Sequence, residues 1–185
     1  MAYLIFLNGT SSAGKSTLAR EIQKQAQIPF WHVASDQLVE AGMLPKRIND
    51  GGDFDWKTNR PKFFAAFHGC VKPILAAGNN VILDHIIESE DWFRLLQQEL
   101  KGLDVFFVGV HCPLSVIEAR ERNRPDRHVG NRYLGEAAYH LEHVHSYSDY
   151  DFEIDTSVGS VEENAAAVLG AWRAGGASKF FEGAP

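Results

Sequence analysis

The residues that most directly predict chemistry lie near the start of the chain, in a glycine-containing loop that ends in Lys15 and Ser16. The loop fits the pattern G-x-x-x-x-G-K-[ST] and consists of Gly9, Thr10, Ser11, Ser12, Ala13, Gly14, Lys15 and Ser16, with Thr17 next. Glycines let the backbone wrap a phosphate chain with N–H groups turned inward, and the positive end of the following helix adds to that field. Lys15 is then expected to reach the β- and γ-phosphates, and the Ser16 hydroxyl to hold Mg²⁺. The loop predicts a nucleoside triphosphate site, and a plain glycine turn is the alternative.

The segments around this loop have the patterns that such a site requires. Residues 3–7 form an apolar run typical of a buried strand, and residues 17–22 open a helical pattern. Strands and helices then alternate, with strands predicted over 29–33, 81–84, 104–110 and 152–155, and helices over 37–41, 62–77, 90–100, 113–122 and 161–173, besides one that ends near residue 145. Apolar strands with helical crossovers predict an α/β fold, a three-layer sandwich around a parallel sheet of about five strands. The nucleotide should lie at the carboxyl ends of these strands.

Composition and charge limit the classes of protein to which the chain can belong. Its 185 residues suit one domain, placed at 1–173, with a tail over 174–185 that is expected to fray. The net charge is −6 and no basic run is present, so nucleic-acid binding is not expected. Without a leader or a membrane-spanning run, and with Cys70 and Cys112 expected to be reduced, the predicted location is the cytoplasm, with no membrane partner. A homo-oligomer is left open.

Asp84 is the second residue with a predicted role in the site. It ends the predicted strand 81–84, and a carboxylate at that position near a phosphate-binding loop often helps hold Mg²⁺ through water. An acidic residue that caps a loop is the alternative. His85, the next residue, is expected to pack or to form a hydrogen bond rather than to bind a metal.

Asp36 follows the second predicted strand, on the edge where the phosphates are expected. A kinase needs a carboxylate within hydrogen-bonding reach of the acceptor hydroxyl, to orient it and accept its proton. The alternative is a helix cap, because Ser35 and Asp36 stand directly before a short predicted helix. Both roles are compatible if Ser35 caps the helix and Asp36 faces the substrate.

An arginine cluster is the third chemical feature. Within eight residues, and interrupted by Pro125, the chain carries Arg120, Arg122, Arg124 and Arg127. Guanidinium groups match phosphate oxygens and stabilise charge in a transition state, so the pattern indicates a lid over about residues 120–132. A solvated helix end, in which nearby carboxylates pair with the arginines, is the alternative.

Residues 45–61 form a polar stretch that is too long for a simple connector. It carries Phe54 and Trp56, which are expected to meet a ligand. We therefore treat this stretch as a candidate functional loop.

Together these features resemble the chloramphenicol phosphotransferase family, small P-loop kinases that phosphorylate a hydroxyl of an antibiotic. The resemblance spans nearly the whole chain. It is carried by Leu7-Asn8-Gly9-Thr10-Ser11-Ser12-Ala13-Gly14-Lys15-Ser16, Asp36 with Leu38 and Ala41, Gly52 before Phe54-Asp55, Val81-Ile82-Leu83-Asp84, Val108-Gly109-Val110-His111-Cys112, Arg120-Glu121 with Arg124-Pro125-Asp126-Arg127, and His145 before Tyr150-Asp151 and Asp155-Thr156.

The resemblance implies roles for individual residues. Asp36 matches the proposed general base of the family, and Arg124 and Arg127 match lid arginines that face the phosphates. Arg120 matches a further arginine of the same pattern, and Thr156 lies in the segment expected near the adenine. The chain departs from the family pattern over residues 45–61 and in the following helix, which should line the acceptor pocket, so the identity of the acceptor stays open.

The resulting hypothesis is an ATP-dependent, Mg²⁺-requiring kinase that phosphorylates a hydroxyl of a small molecule, with chloramphenicol or a similar compound as the leading candidate. Its catalytic residues would be Lys15, Asp36, Arg124 and Arg127, and its metal ligands Ser16 and Asp84. The alternatives are a kinase acting on a nucleotide, a sugar or adenylylsulfate, a toxin-type kinase acting on a nucleotide sugar, and a nucleotide-dependent regulatory switch with no small-molecule acceptor.

Overall fold

Five parallel strands form the centre of the molecule. The computed structural model describes residues 2–122, 141, 143–147 and 149–182. The strands are β1 (Leu4–Asn8), β2 (Phe30–Ala34), β3 (Asn80–His85), β4 (Val105–His111) and β5 (Phe152–Asp155), in the spatial order β2-β3-β1-β4-β5. Every pair in this sheet is parallel, which confirms the predicted fold class.

Helices connect the strands and cover both faces of the sheet. They are α1 (Lys15–Gln25), α2 (Ser35–Glu40), α3 (Trp56–Ala76), α4 (Glu90–Glu99), α5 (Leu114–Arg122) and α6 (Val161–Ala174). Two short 3₁₀ turns, Ile48–Asp50 and Lys179–Phe181, lie outside these helices. None of the helices within those residues is long and apolar enough to cross a bilayer.

Strand alternation divides the core into two layers. In β1, Ile5 and Leu7 point to one face of the sheet, where they pack with residues of α1 and α6. Leu4 and Phe6 point to the other face, where they pack with residues of α3 and α4. Because all four side chains are fully buried, the sheet forms the middle of a three-layer sandwich.

Helix α3 begins at Trp56, six residues before the predicted start at residue 62. Asp55 caps it, because its side chain accepts a hydrogen bond from the Lys57 backbone N–H at 3.0 Å. Pro61, the last residue of the predicted polar stretch, lies within the helix. The polar stretch is therefore a loop only as far as Asp55.

The prediction that the tail frays is wrong for its 3₁₀ turn. Phe180 is fully buried among the core residues that pack against α4. Its carbonyl accepts a hydrogen bond from Gln97 Nε2 at 2.6 Å, and the Lys179 N–H donates to Asp151 Oδ1 at 2.6 Å. Phe180 anchors the turn, since its burial removes much apolar surface from water, and Phe181 packs beside it against the same core.

Candidate active site

A cleft of about 1080 Å³ lies at the carboxyl edge of the sheet. On one side, the loop lobe is lined by Ser11, Ser12, Gly14, Lys15, Ser16, Thr17, Leu18, Arg120, Thr156, Gly159, Val161 and Asn164. On the other side, the aromatic lobe is lined by Ala34, Ser35, Asp36, Arg47, Trp56, Lys57, Arg60, Phe64, Asp84, His85, Ile86 and Glu88. The cleft therefore joins the predicted loop to Asp36 and Asp84.

The loop lobe is built on the segment between β1 and α1. Gly14 has a φ of 93°, a left-handed conformation that favours glycine, and α1 starts at the next residue. Lys15 is only 7% exposed, and its Nζ donates to the carbonyl oxygens of Gly9 and Thr10, each at 2.9 Å. The strand, loop and helix thus follow the predicted order, with the ammonium group held inside the curve of the loop.

Arg120 and Thr156 hold this loop from the side. Arg120 Nη1 donates to Ser12 O at 3.3 Å, and its Nη2 donates to Thr156 O at 2.8 Å. The Thr156 hydroxyl donates to Ala13 O at 2.5 Å. These hydrogen bonds support the loop, and both residues also line the cleft. A role for Thr156 in recognising the base stays a prediction.

Asp84 lies at the floor of the cleft and is 6% exposed. Its Oδ2 accepts a hydrogen bond from Ser16 Oγ at 2.6 Å, and its Oδ1 lies 3.9 Å from Lys15 Nζ. Burial alone would raise the pKa of Asp84, but hydrogen bonds from His32 and Ser16 together with the charge of Lys15 lower it below its usual value. The carboxylate is therefore ionised at neutral pH.

The oxygens of Ser16 and Asp84 suit Mg²⁺, which prefers oxygen ligands and commonly binds through one or two protein groups together with substrate phosphates. Among the described residues there is no group of three or more His, Cys, Asp or Glu side chains that could hold a metal by itself. The chemistry of this pair thus fits a metal that arrives with a nucleotide.

Asp36 lies in the first turn of α2, where its exposed side chain lines the cleft. The alternative in which Ser35 or Asp36 caps this helix is wrong. The helix starts at Ser35, with Ala34 at the cap position, so both Ser35 and Asp36 lie inside it. The Ala34 N–H donates to Gln37 Oε1 at 3.2 Å. Asp36 is the second residue of the helix and lies in its first turn, and no side chain at the cap position forms a capping hydrogen bond.

His32, which the sequence did not indicate, connects Asp36's helix to Asp84. Its Nε2 lies 3.2 Å from Asp84 Oδ2, and its Nδ1 lies 3.0 Å from Gln37 Nε2. The register pairs His32 with Ile82, two residues before Asp84 in the neighbouring strand. This contact depends on β2 and β3 being neighbours, an order that the sequence alone leaves undetermined.

Aromatic rings and cations form the outer part of the aromatic lobe. The Arg47 guanidinium lies 4.3 Å from the centroid of the Trp56 ring. The Arg60 guanidinium lies 4.9 Å from Phe64 and also contacts Trp92 and the Glu88 carboxylate. Trp56 was expected to meet a ligand, and the structure places it at the cleft; Arg47 and Arg60 had no motif that marked them.

His85 packs at the back of this lobe, as expected for a residue with a packing or hydrogen-bonding role. Its Nε2 lies 2.9 Å from His68 Nε2, and its ring stacks on Trp92 with an interplanar angle of 12°. Burial lowers the pKa of His68 to about 4. Burial, followed by the nearby charges of His68 and Lys15, also lowers the pKa of His85 well below its ordinary value. Both imidazoles are neutral at neutral pH.

Arg124 and Arg127, together with most of the predicted lid over 120–132, lie outside the described residues. Of the four clustered arginines, Arg120 contacts the loop and Arg122 is exposed at the end of α5.

A family comparison agrees with this geometry. The model of the family described as chloramphenicol phosphotransferase-like protein matches residues 2–173. The chain belongs to this family. A curated relative from Mycobacterium tuberculosis, provisionally named an O-phosphotransferase, is 33% identical over 182 residues, covering 88% of this chain and 78% of the relative. Membership makes the chain a phosphotransferase of the kinase type.

Solved structures show the same fold in other proteins. The M. tuberculosis APS kinase CysC matches with a TM-score of 0.64 and 18% identity, over 93% of this chain and 98% of its own. The Deinococcus radiodurans tunicamycin resistance protein matches with a TM-score of 0.63 and 18% identity, over 100% and 99%. Shikimate kinase from Aquifex aeolicus matches with a TM-score of 0.57 and 17% identity, over 92% and 96%. Together with the family, this fold supports nucleotide binding.

Proposed function

We propose that the protein transfers the γ-phosphoryl group of ATP to a hydroxyl of a small molecule in the cleft. The observation that carries this proposal is the position of Lys15 and Ser16 in one lobe and Asp36 in the other lobe of a single cleft. A phosphate-binding loop on one side of a shared space and a carboxylate on the other are the parts that phosphoryl transfer to an alcohol requires.

In this proposal the loop lobe binds the triphosphate. The loop amides and the Lys15 ammonium hold the β- and γ-phosphates, and Lys15 exchanges its present carbonyl contacts for phosphate oxygens. Ser16 and Asp84 would hold Mg²⁺, which neutralises charge on the phosphates when it is bound. Asp84 stays ionised for this purpose because His32, Lys15 and Ser16 stabilise its charged form.

Asp36 would act as the general base in the aromatic lobe. The acceptor oxygen forms a bond to the γ-phosphorus while the bond from that phosphorus to the bridging oxygen of ADP breaks, and the hydroxyl proton moves to the Asp36 carboxylate. Arg124 and Arg127 are proposed, from the sequence alone, to close over the transferring group. Arg120 would support the loop and contact the phosphates from its side.

Chloramphenicol or a similar antibiotic is the first acceptor to test, because the family carries that name. A nucleotide acceptor is the second candidate, since a protein of the same fold is an APS kinase solved with AMPPNP and APS. The names of the family and of this structural relative do not decide between the two acceptors.

The test is product analysis with purified protein, ATP and Mg²⁺. Chloramphenicol and its diacetate, in which the hydroxyls are blocked, form a matched pair, and a panel of sugars, nucleosides and hydroxy acids widens the search. We expect a phosphate ester of at least one free hydroxyl compound by mass spectrometry, and none from the diacetate. ATP binding without transfer to any compound would instead support a regulatory switch.

A further inference from the structure

The charges of the aromatic lobe are unequally matched. Its lining carries three cations: Arg47, Lys57 and Arg60. It also carries three carboxylates, of which Asp84 is paired with Lys15, which leaves Asp36 and Glu88. Glu88 forms an ion pair with Arg60, and the proposed function assigns Asp36 to the acceptor hydroxyl. Lys57 has the Asp55 carboxylate nearby, which caps the same helix. Among the described residues, Arg47 is therefore the cation of this lobe that has no carboxylate to match its charge.

Arg47 is held by an indole ring rather than by a carboxylate. Its guanidinium lies over Trp56, and within the described chain no ion pair connects it to Asp or Glu. Contact with an aromatic face fixes the position of a guanidinium but uses none of its N–H donors. Arg60 differs, because Glu88 already accepts hydrogen bonds from it. A planar, positively charged donor is thus presented at the cleft by Arg47.

The backbone around Arg47 is a closed turn and not an open loop. The Gly52 N–H donates to Arg47 O at 2.9 Å, and the Ile48 N–H donates to Phe54 O at 3.1 Å. A Cβ on Gly52 would lie 2.0 Å from Lys46 O, so only glycine permits this approach. The turn and the indole together give Arg47 a defined position, which reduces the entropy lost when it binds a ligand.

We propose that the acceptor is an anionic hydroxy compound whose carboxylate, sulfate or phosphate group binds to Arg47. This inference rests on the proposed function and specifies its substrate class. An anion at Arg47 and a hydroxyl near Asp36 would place the acceptor across the aromatic lobe. A neutral antibiotic such as chloramphenicol would leave the Arg47 charge unmatched, so it is expected to be a poorer acceptor.

The experiment compares hydroxy compounds in matched anionic and neutral pairs, among them shikimate with its methyl ester, gluconate with glucitol, and adenylylsulfate with adenosine. Affinity for the protein loaded with Mg²⁺ and AMPPNP is measured by calorimetry, and transfer from ATP by initial rates. At least one anionic member should bind roughly 10- to 100-fold more tightly than its neutral partner, the range expected for charge-assisted hydrogen bonds.

Variants show whether Arg47 causes that preference. Arg47→Gln should abolish the preference and leave the affinity for the neutral partner unchanged, and Arg47→Lys should keep part of it. Lys46→Gln removes a neighbouring positive charge that does not line the cleft, so it should keep the whole preference.

The inference is wrong if no anionic member binds more tightly than its neutral partner, or if Arg47→Gln weakens both members equally. Either result, combined with phosphorylation of a neutral compound, would leave the proposed phosphotransferase activity standing. Absence of transfer to every compound, with the anionic preference intact, would instead overturn the proposed function and keep the anion site.

Discussion

The two lobes of the cleft are built in different ways. The loop lobe comes mainly from residues 11–18, which span the end of the loop after β1 and the first turn of α1. Backbone groups hold it together, because carbonyl oxygens bind Lys15 and Arg120. The aromatic lobe is assembled from α2, the turn that contains Arg47, the start of α3 and the end of β3. Side chains hold it together, through cation–π contacts and the Arg60–Glu88 ion pair.

This contrast indicates that the loop lobe sets the reaction type and that side chains of the aromatic lobe select the acceptor. A lobe made of backbone groups tolerates few changes, because each replaced residue must keep the same conformation. A lobe made of side chains changes its specificity with single substitutions at no cost to the loop that binds phosphate. We therefore expect substitutions in the loop lobe, and of Asp36 and Asp84, to reduce transfer to any acceptor. Substitutions of other side chains in the aromatic lobe, such as Arg47, should act on particular acceptors.

Lys15→Ala should have the largest effect. Removal of the ammonium takes positive charge from the transferring phosphates, so phosphoryl transfer should fall to the limit of detection with every acceptor. Lys24→Ala, on the exposed side of the same helix, serves as the control and should leave the rate unchanged. Near-normal turnover by a folded Lys15→Ala protein, measured by ADP release, would contradict the role given to the loop lobe.

Asp36→Asn should have the next largest effect. The amide keeps the size of the side chain but cannot accept a proton, so turnover should fall by roughly 10²–10⁴-fold while ATP affinity changes little. Melting temperature should fall only slightly, because Asp36 forms no capping hydrogen bond and its charge acts only through its position in the first turn of α2. Glu40→Gln, an exposed change in the same helix, is the matched control. If turnover persists while stability drops, the base must be another group.

Arg120→Ala should weaken the loop lobe without touching the aromatic lobe. Loss of hydrogen bonds from a charged donor to Ser12 and Thr156 should lower the free energy of unfolding by about 1–3 kcal/mol. The affinity for ATP should fall, while acceptor affinity is retained. Chemical denaturation measures the free energy of unfolding, and titration with nucleotide or acceptor measures the two affinities. The exposed Arg122→Ala is the control. An equal loss of acceptor affinity would show that the lobes are coupled.

Acidification should destabilise the protein through the histidines behind the aromatic lobe. The pKa of His68 is lowered from 6.5 to about 4, so the unfolded chain takes up protons before the folded one. Stability contributed by neutral His68 is present above pH 6.5 and is lost as the pH falls toward 4, by on the order of 1–3 kcal/mol. His85 should act in the same direction.

Urea unfolding at a series of pH values measures this loss. His68→Gln should unfold with a shallower pH dependence than the wild type over this range. A variant with the full wild-type slope would show that other groups cause the acid sensitivity.

The sequence predicted the parts of the molecule that depend on local pattern. The apolar strands and the loop that ends in Lys15 and Ser16 were located correctly, since strand hydrophobicity and the glycine-lysine spacing are properties of short segments. Helix α3 starts earlier than predicted because the polar composition of residues 45–61 indicated a loop, whereas Asp55 caps the helix and residues 56–61 already belong to it. Phe180 was overlooked because a single buried ring has no periodicity.

Contacts that depend on the order of strands could not be predicted in this way. His32 reaches Asp84 only because β2 lies beside β3, and Arg47 reaches Trp56 only because the turn before α3 closes. Both contacts join side chains from separate segments of the chain, so only the structure reveals them.

We propose that one cleft brings ATP and a hydroxyl acceptor together for direct transfer. The most direct test follows the label from ATP labelled in its γ-phosphoryl group, in the presence of Mg²⁺ and a panel of acceptors, with wild type and Asp36→Asn side by side. The account predicts that label appears in a phosphate ester of a small molecule, at a rate that depends on acceptor concentration and collapses in Asp36→Asn. Label that appears only in inorganic phosphate, at a rate indifferent to every acceptor and to Asp36, would contradict it.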